Sequence, residues 1–320
     1  MGPVTAPSVV RSGGATTGAA VGLSVGIDIG ATKMLGVAAG PDGRVVAEVR
    51  VSTPRGGADV VAAAGAVVDA LRSRAGAPLI GAVGVGVPGL VDAEAGTLSH
   101  AVNLGIDGDR FPLRDLLADR LGTAVAVDND VNAAALGVAA VTGRRDLAYV
   151  SLGTGLAAAF VLDGRLRRGS GNAAGEIGHI PVDPQRLPCA CGQRGCLETA
   201  ASGSALAAAW PGAAGVPPAQ ALFDAAAAGD GAAIAVRDAF ATRVADAVRL
   251  VALTVDAESI VLGGGVAQVG SRLHAAVAWA LNDQAAGSEF LRSLDLAARL
   301  TLVPRDVPVA ALGAALLGAR

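Results

Sequence analysis

The chain has 320 residues, 52% of them hydrophobic and 17% charged, which is long enough for two domains with separate cores. The formal net charge is -3, Lys33 is the only lysine and the arginines are scattered, so no basic stripe exists to neutralise a phosphate backbone and nucleic acid is not an expected partner. Gly, Asp or Arg interrupts every apolar stretch before it reaches a membrane-spanning length, which argues for a soluble protein without a membrane partner.

Residues 1–22 are rich in Gly, Thr, Ala and Pro and lack the continuous apolar core of a signal peptide, so a loose tail on a cytoplasmic protein is expected. SVGIDIG from Ser24, then MLGVAAG and RVVAEVRV joined at Pro41-Asp42-Gly43, read as a small antiparallel meander. Helical spacing over 58–74 is followed by a buried-strand run over 79–87. GVGVPG, 84–89, matches a dinucleotide fingerprint in letters only. Pro88 and a polar stretch follow where a helix is required, and a turn is expected instead. A helix over 112–122, the strand AVAVD and a helix through NDVNAAALGVAA complete the first half.

At Asp146 the pattern starts again. GIDIGATKMLGVAAGPDGR (26–44) and YVSLGTGLAAAFVLDGR (149–165) share a strand, a Gly/Thr turn, a second strand and an Asp-Gly-Arg turn, which suggests two related halves facing one cleft. Ala-rich helices are expected near 203–210, 217–228 and 231–254. ESIVLGGGVA then reads as a strand entering a glycine turn and a helix, and a closing helix runs over 308–319.

All three cysteines lie within eight positions. His179, Cys189, Cys191 and Cys196 have the composition of a closed tetrahedral zinc site, and Pro188, Gly192 and Gly195 supply the tight turns that converging ligands need. Asp28-x-Gly30-x-Thr32 sits in a strand-turn-strand, where backbone N–H groups and a hydroxyl can meet phosphate oxygens while the carboxylate approaches magnesium. With Gly153-Thr154-Gly155 and Gly263-Gly264-Gly265 it makes three glycine turns, enough to hold a nucleotide. Asn129-Asp130 lies at a strand-to-helix junction: either side chain can cap the helix, and the same junction can aim a carboxylate into a cleft to accept a proton. Glu176, His179 and Glu198 flank the cysteines and suit recognition of ligand hydroxyls, whereas His100 and His274 are expected to be structural or exposed.

Taken together, these residues resemble the ROK family of sugar kinases in the actin-like ATPase superfamily, from about Gly26 onward. DIGATK resembles its first phosphate loop, VDNDVNAAALG its catalytic segment, LGTG its second phosphate loop and IVLGGGV its adenosine segment; GEIGH and CACGQRGCLE follow its metal signature. The resemblance implies an α/β fold of duplicated actin-like (ribonuclease H-like) domains, with a cleft between two lobes and a small structural zinc loop, 179–196. The expected small lobe is 23–130, completed by the helix 308–320, and the large lobe is 131–307. The resemblance also implies Mg-ATP held by Asp28, Gly30, Thr32, Lys33 and the two later glycine turns, with Asp130 as general base. Asn103, Asn129, Glu176, His179 and Glu198 become sugar ligands, His179 also serving the zinc. The implied activity is transfer from ATP to the 6-hydroxyl of a hexose, glucose first, by a homodimer or homotetramer. An amino-sugar kinase, a polyphosphate donor and a sugar-responsive regulator stay open, although residues before the first strand are too helix-poor for the regulator's DNA-binding domain. Two departures stand out: Ala157, Ala158 and Ala159 follow the second loop where glycine is common and are expected to crowd phosphate or reshape the nucleotide site, and no tryptophan follows Asn103.

Overall fold

The computed structural model describes residues 22–76, 79–212 and 215–318; the tail expected over 1–22 lies almost entirely outside them. The first half runs β1 (Leu23–Ile29), β2 (Lys33–Ala39), β3 (Val45–Ser52), α1 (Gly57–Ala75), β4 (Leu79–Val87), a small ribbon of β5 (Leu90–Asp92) and β6 (Thr97–Ser99), α2 (Leu113–Leu121), β7 (Val125–Asn129) and α3 (Asp130–Thr142). The second runs β8 (Leu147–Leu152), β9 (Leu156–Leu162), β10 (Arg165–Arg167), α4 (Glu198–Ala201), α5 (Gly203–Ala209), α6 (Pro218–Ala227), α7 (Gly231–Val255) and β11 (Ser259–Gly263). It closes with α8 (Ser271–Ala285), α9 (Glu289–Leu294), α10 (Leu296–Arg299), β12 (Leu300–Leu302) and α11 (Val309–Gly318).

The halves form two five-stranded sheets of the same plan. One has the order β3-β2-β1-β4-β7 and the other β10-β9-β8-β11-β12. In each, an antiparallel meander is extended by two parallel strands. The Asp-Gly-Arg likeness seen in the sequence is therefore a duplication of topology. Within each sheet the parallel strands deliver their C-terminal turns to the same edge, so the ends of β1, β4 and β7 lie together, as do those of β8, β11 and β12.

The two sheets are joined by α3 and α11. Buried residues of α3 (Ala133, Ala135, Leu136, Val138) pack with Tyr149, Ala159 and Val161 of the second sheet and with Val309, Ala314 and Leu317 of α11. Glycines allow backbone-to-backbone approach here. A Cβ on Gly26 or Gly84 would strike the α11 backbone at Ala311 or Ala314, and one on Gly137 or Gly313 would overlap the partner helix. That explains why Gly84 and Gly86 lie within β4 and only Pro88-Gly89, with Gly89 at φ 116°, forms the turn expected over 84–89. A stripe of Val60, Ala64, Val67, Val68 and Leu71 buries α1 against the first sheet, and Gly76 ends the helix in the left-handed region at φ 61°. Strand β12, which the sequence reading missed, has only three residues and follows α10 directly. No helix among the described residues is long and apolar enough to cross a membrane.

Candidate active site and metal centre

The junction of β7 and α3 is built by capping. Asn129 ends β7 in extended backbone, and its side-chain oxygen accepts from Val131 N at 2.8 Å and Asn132 N at 3.3 Å while its amide donates to Gly89 O at 3.1 Å. Asn129 is thus the cap, and Asp130 becomes the first residue of α3, half-buried, with its own Oδ1 sharing the Val131 N–H at 3.0 Å. Burial pushes the Asp130 pKa up to about 6; backbone hydrogen bonds oppose the rise and the Glu176 charge adds to it. Asp28, at the end of β1, is raised further, to about 7, by burial first and then by the Asp130 charge, with Lys33 pulling the other way. The Asp130 charge thus reaches Asp28 from just past the end of a strand in the same sheet.

The first turn is closed by Gly30 N donating to Lys33 O at 2.9 Å, and Thr53 braces it through a hydroxyl bond to Gly30 O at 2.8 Å. Ala31, Thr32 and Lys33 stay exposed at its tip. In the second turn Gly153 N donates to Gly155 O at 3.1 Å, while Gly203 N and Ser204 N reach Gly153 O and Thr154 O at 2.8 and 3.3 Å, tying the turn to the start of α5. In the third, Gly264 has φ 81°, and a Cβ there would meet the Leu152 carbonyl carbon at 2.6 Å; Gly263 packs on the Tyr149 ring. The second and third turns open on one cavity of about 550 Å³, lined by Thr154, Ser204, Pro217, Gln220, Val266 and Gln268 among others. The first turn lies outside that lining and meets the others through Asp28, whose charge reaches Tyr149 on β8. Ala158 and Ala159 sit inside β9, each buried in the core on its own side of the sheet, so neither methyl crowds the turn as expected. Ala157 is half-buried and pairs with Ser151.

The donor atoms of His179, Cys189, Cys191 and Cys196 all lie within 4.8 Å of one another. The Cys191 and Cys196 sulfurs are 3.7 Å apart and the Cys189 sulfur is 3.9 Å from His179 Nδ1. A tetrahedral ion with bonds of ~2.3 Å to sulfur sets ligands roughly 3.8 Å apart, so the donor set fits zinc. Gly192 and Gly195, at φ 90° and 86°, make the turns that fold the knot, and Gly195 N donates to Leu187 O at 2.8 Å. With Nδ1 toward the sulfurs, His179 Nε2 faces Glu176 Oε2 at 3.7 Å. Glu198, first in α4, has Oε1 3.9 Å from His179 Nδ1 and accepts from Leu156 N at 3.2 Å through Oε2, so it bridges the knot and the second glycine turn. Burial raises the Glu176 pKa, with His179 opposing and Glu198 adding.

Glu176, His179 and Glu198 are thus brought together, and the Asp130 pair communicates with them through Glu176. Asn103 is exposed in a 3-10 turn, Val102–Leu104, held separately through Arg55 and Gly56. His100 is exposed, and His274 lies 3.0 Å from Leu300 O, joining α8 to β12. The sequence reading missed Asp128, Asn132 and Arg168. Asp128 is 1% exposed and receives Arg168 from the other sheet, a pairing across 40 residues that no local spacing signals.

The chain is 37% identical over 204 residues to a glucokinase of Halalkalibacterium halodurans, covering 56% of this chain and 62% of that protein. It is 37% identical over 158 residues to an N-acetylmannosamine kinase of Citrobacter koseri, covering 49% and 54%. The matched region thus spans somewhat over half the length of these curated relatives. The fold matches the crystal structure of a ROK family glucokinase from Streptomyces griseus in complex with glucose and AMPPNP, with TM-score 0.77 and 31% identity over 93% of this chain and 99% of that one. The ROK family model covers residues 24–317, nearly all of the described chain, and the protein belongs to the ROK family.

Proposed function

We propose that the protein is an ATP-dependent sugar kinase that phosphorylates the 6-hydroxyl of a hexose, glucose first. The observation that carries this reading is Asp130, a carboxylate at a capped helix start whose pKa of about 6 leaves it mostly ionised at neutral pH yet basic enough to take a proton. The hydroxyl oxygen attacks the γ-phosphorus as its proton passes to Asp130, and the bond from phosphorus to the ADP oxygen breaks in line. Asp28 would hold the Mg²⁺ of Mg-ATP, which supplies charge neutralisation at the phosphates. Backbone N–H groups of the three glycine turns, with Thr32, Lys33 and Thr154, would bind the phosphates, and the 550 Å³ cavity beyond Thr154 and Gly265 would take the nucleoside. The donor set of His179, Cys189, Cys191 and Cys196 would hold zinc as structure only, fixing His179 and, through it, Glu176 and Glu198 for the sugar hydroxyls. Asn103 and Asn129 complete the proposed sugar contacts; for Asn129 that contact competes with its cap. The small lobe, 23–130 with the last helix, and the large lobe, 131–307, would close on the sugar to keep water from taking its place.

Asp130→Asn tests the reading. Phosphorylation is expected to fall by roughly 10²–10⁴-fold while sugar binding, measured by calorimetry, persists. Near-normal turnover would eliminate the proposed base. A panel of glucose, mannose, N-acetylglucosamine, N-acetylmannosamine and kanosamine, with ATP and with polyphosphate, assigns the acceptor and donor.

A further inference from the structure

Asp128 is a buried carboxylate whose every hydrogen bond serves one junction. Its Oδ1 accepts from Asn129 N and from the Asn132 side-chain amide, each at 2.8 Å. Its Oδ2 alone faces the fork of the Arg168 guanidinium: Nε donates to it at 2.8 Å and Nη2 stands 2.6 Å away in the same ion pair. The first two bonds tie the end of β7 to the first turn of α3, either side of Asp130. The fork comes from the second sheet, where Arg168 follows β10 at once. Arg168 also opens the loop that ends at Glu176: its carbonyl accepts from Ala174 N at 3.1 Å, and two residues later the chain delivers Glu176 and then His179.

One side chain therefore spans from the segment carrying Glu176 and His179 to the strand end carrying Asp130. Two guanidinium nitrogens held on one carboxylate oxygen fix direction as well as distance, which a single ammonium does not. Asp128 is nearly solvent-free, so no water competes for it, and the Glu176 charge felt by Asp130 shows that the two segments stand close.

We propose that Arg168 is a positioning residue, acting through Asp128 to hold the Asp130 junction in register with the loop that presents Glu176 and His179. The proposal rests on the sugar-kinase reading for its kinetic arm alone. Arg168→Lys keeps the charge and loses the fork. Its kcat is expected to fall by about tenfold or more, since small misplacements of a base are costly in rate, while KM for ATP holds because the nucleoside cavity lies on other elements. Amide exchange in the first turn of α3 should quicken by about tenfold, with β8 unchanged. A folded Arg168→Lys variant with wild-type kcat overturns the proposal. Should that variant fold poorly, Asp128→Asn with Arg168→Gln removes both charges at once; it is expected to show the same loss of kcat at near wild-type Tm, and full turnover there overturns the proposal equally. If the wild-type protein phosphorylates no sugar, the functional reading fails by itself, and exchange decides the matter: unaltered protection around residues 130–133 in Arg168→Lys sinks the inference.

Discussion

Replacing Gly313 by alanine tests how α11 locks the two sheets together. A Cβ there would sit 2.6 Å from Gly137 N and 2.7 Å from the Ala133 carbonyl carbon, on top of the Ala133 carbonyl oxygen. Non-bonded heavy atoms prefer ~3.5–4.0 Å, and the obstructing atoms are helix backbone that cannot rotate away, so α11 and α3 must part by about 1.5 Å. Helix α11 buries Val309, Leu312 and Leu317 along with three alanines. Burying the three larger chains is worth roughly 1.5–3 kcal/mol each, or about 5–9 kcal/mol together. A gap of ~0.5–1 Å already forfeits up to half of contact energy, so this wider parting loses about half, or about 2–4 kcal/mol. Alanine regains about 1 kcal/mol of helix propensity, leaving a net loss of about 1–3 kcal/mol. At roughly 2–4 °C per kcal/mol, Tm should drop by about 3–10 °C in differential scanning fluorimetry. Gly231→Ala is the control, because that helical glycine has open space where a Cβ would stand, so its Tm should hold or rise. If Gly313→Ala were as stable as wild type or more so, propensity would have outweighed packing and the locking role of α11 would be wrong.

The raised carboxylates predict an acid limb in rate: with Asp130 at about 6 and Asp28 at about 7, kcat/KM should fall on going below this range as the base takes up a proton, and a flat profile from pH 8 to 5 would contradict the assignment. Stability runs the opposite way. A carboxyl whose folded pKa is raised from 3.8 contributes stability that is present below 3.8 and lost as pH rises through about 7 for Asp28, so Asp28→Asn should raise the apo-protein Tm at pH 8 and leave it alone at pH 3. Metal analysis should find zinc near one per chain, and stripping it should lower Tm and weaken sugar affinity; a metal-free preparation with full stability would refute the Cys and His centre. Asn129→Ala removes the acceptor for two α3 amides and should cost about 1–2 kcal/mol in urea denaturation, with an unchanged midpoint counting against the cap.

The sequence by itself determined the local chemistry. Gly/Thr turns need small residues wherever backbone N–H groups face outward, and three cysteines within eight positions leave few roles other than a metal knot. The internal likeness of 26–44 and 149–165 became a shared sheet plan because strand alternation and Asp-Gly turns are written in adjacent residues. Strand β12 slipped past, because three residues carry no alternation to read. The strand expected over 79–87 formed, and the turn expected over 84–89 shrank to Pro88-Gly89; that Gly84 instead admits the α11 backbone is visible only in the packed structure. Either Asn129 or Asp130 could cap α3 by sequence, and the β7–α3 geometry gives Asn129 two of the helix amides while Asp130 shares only that of Val131. Tertiary structure alone decided what lies between segments distant in the chain: Asp28 near Asp130, Glu198 between the knot and the second turn, Arg168 on Asp128. Such pairings depend on how two sheets stack around α3 and α11, and no periodicity along the chain encodes the distance between residues 40 or 100 positions apart.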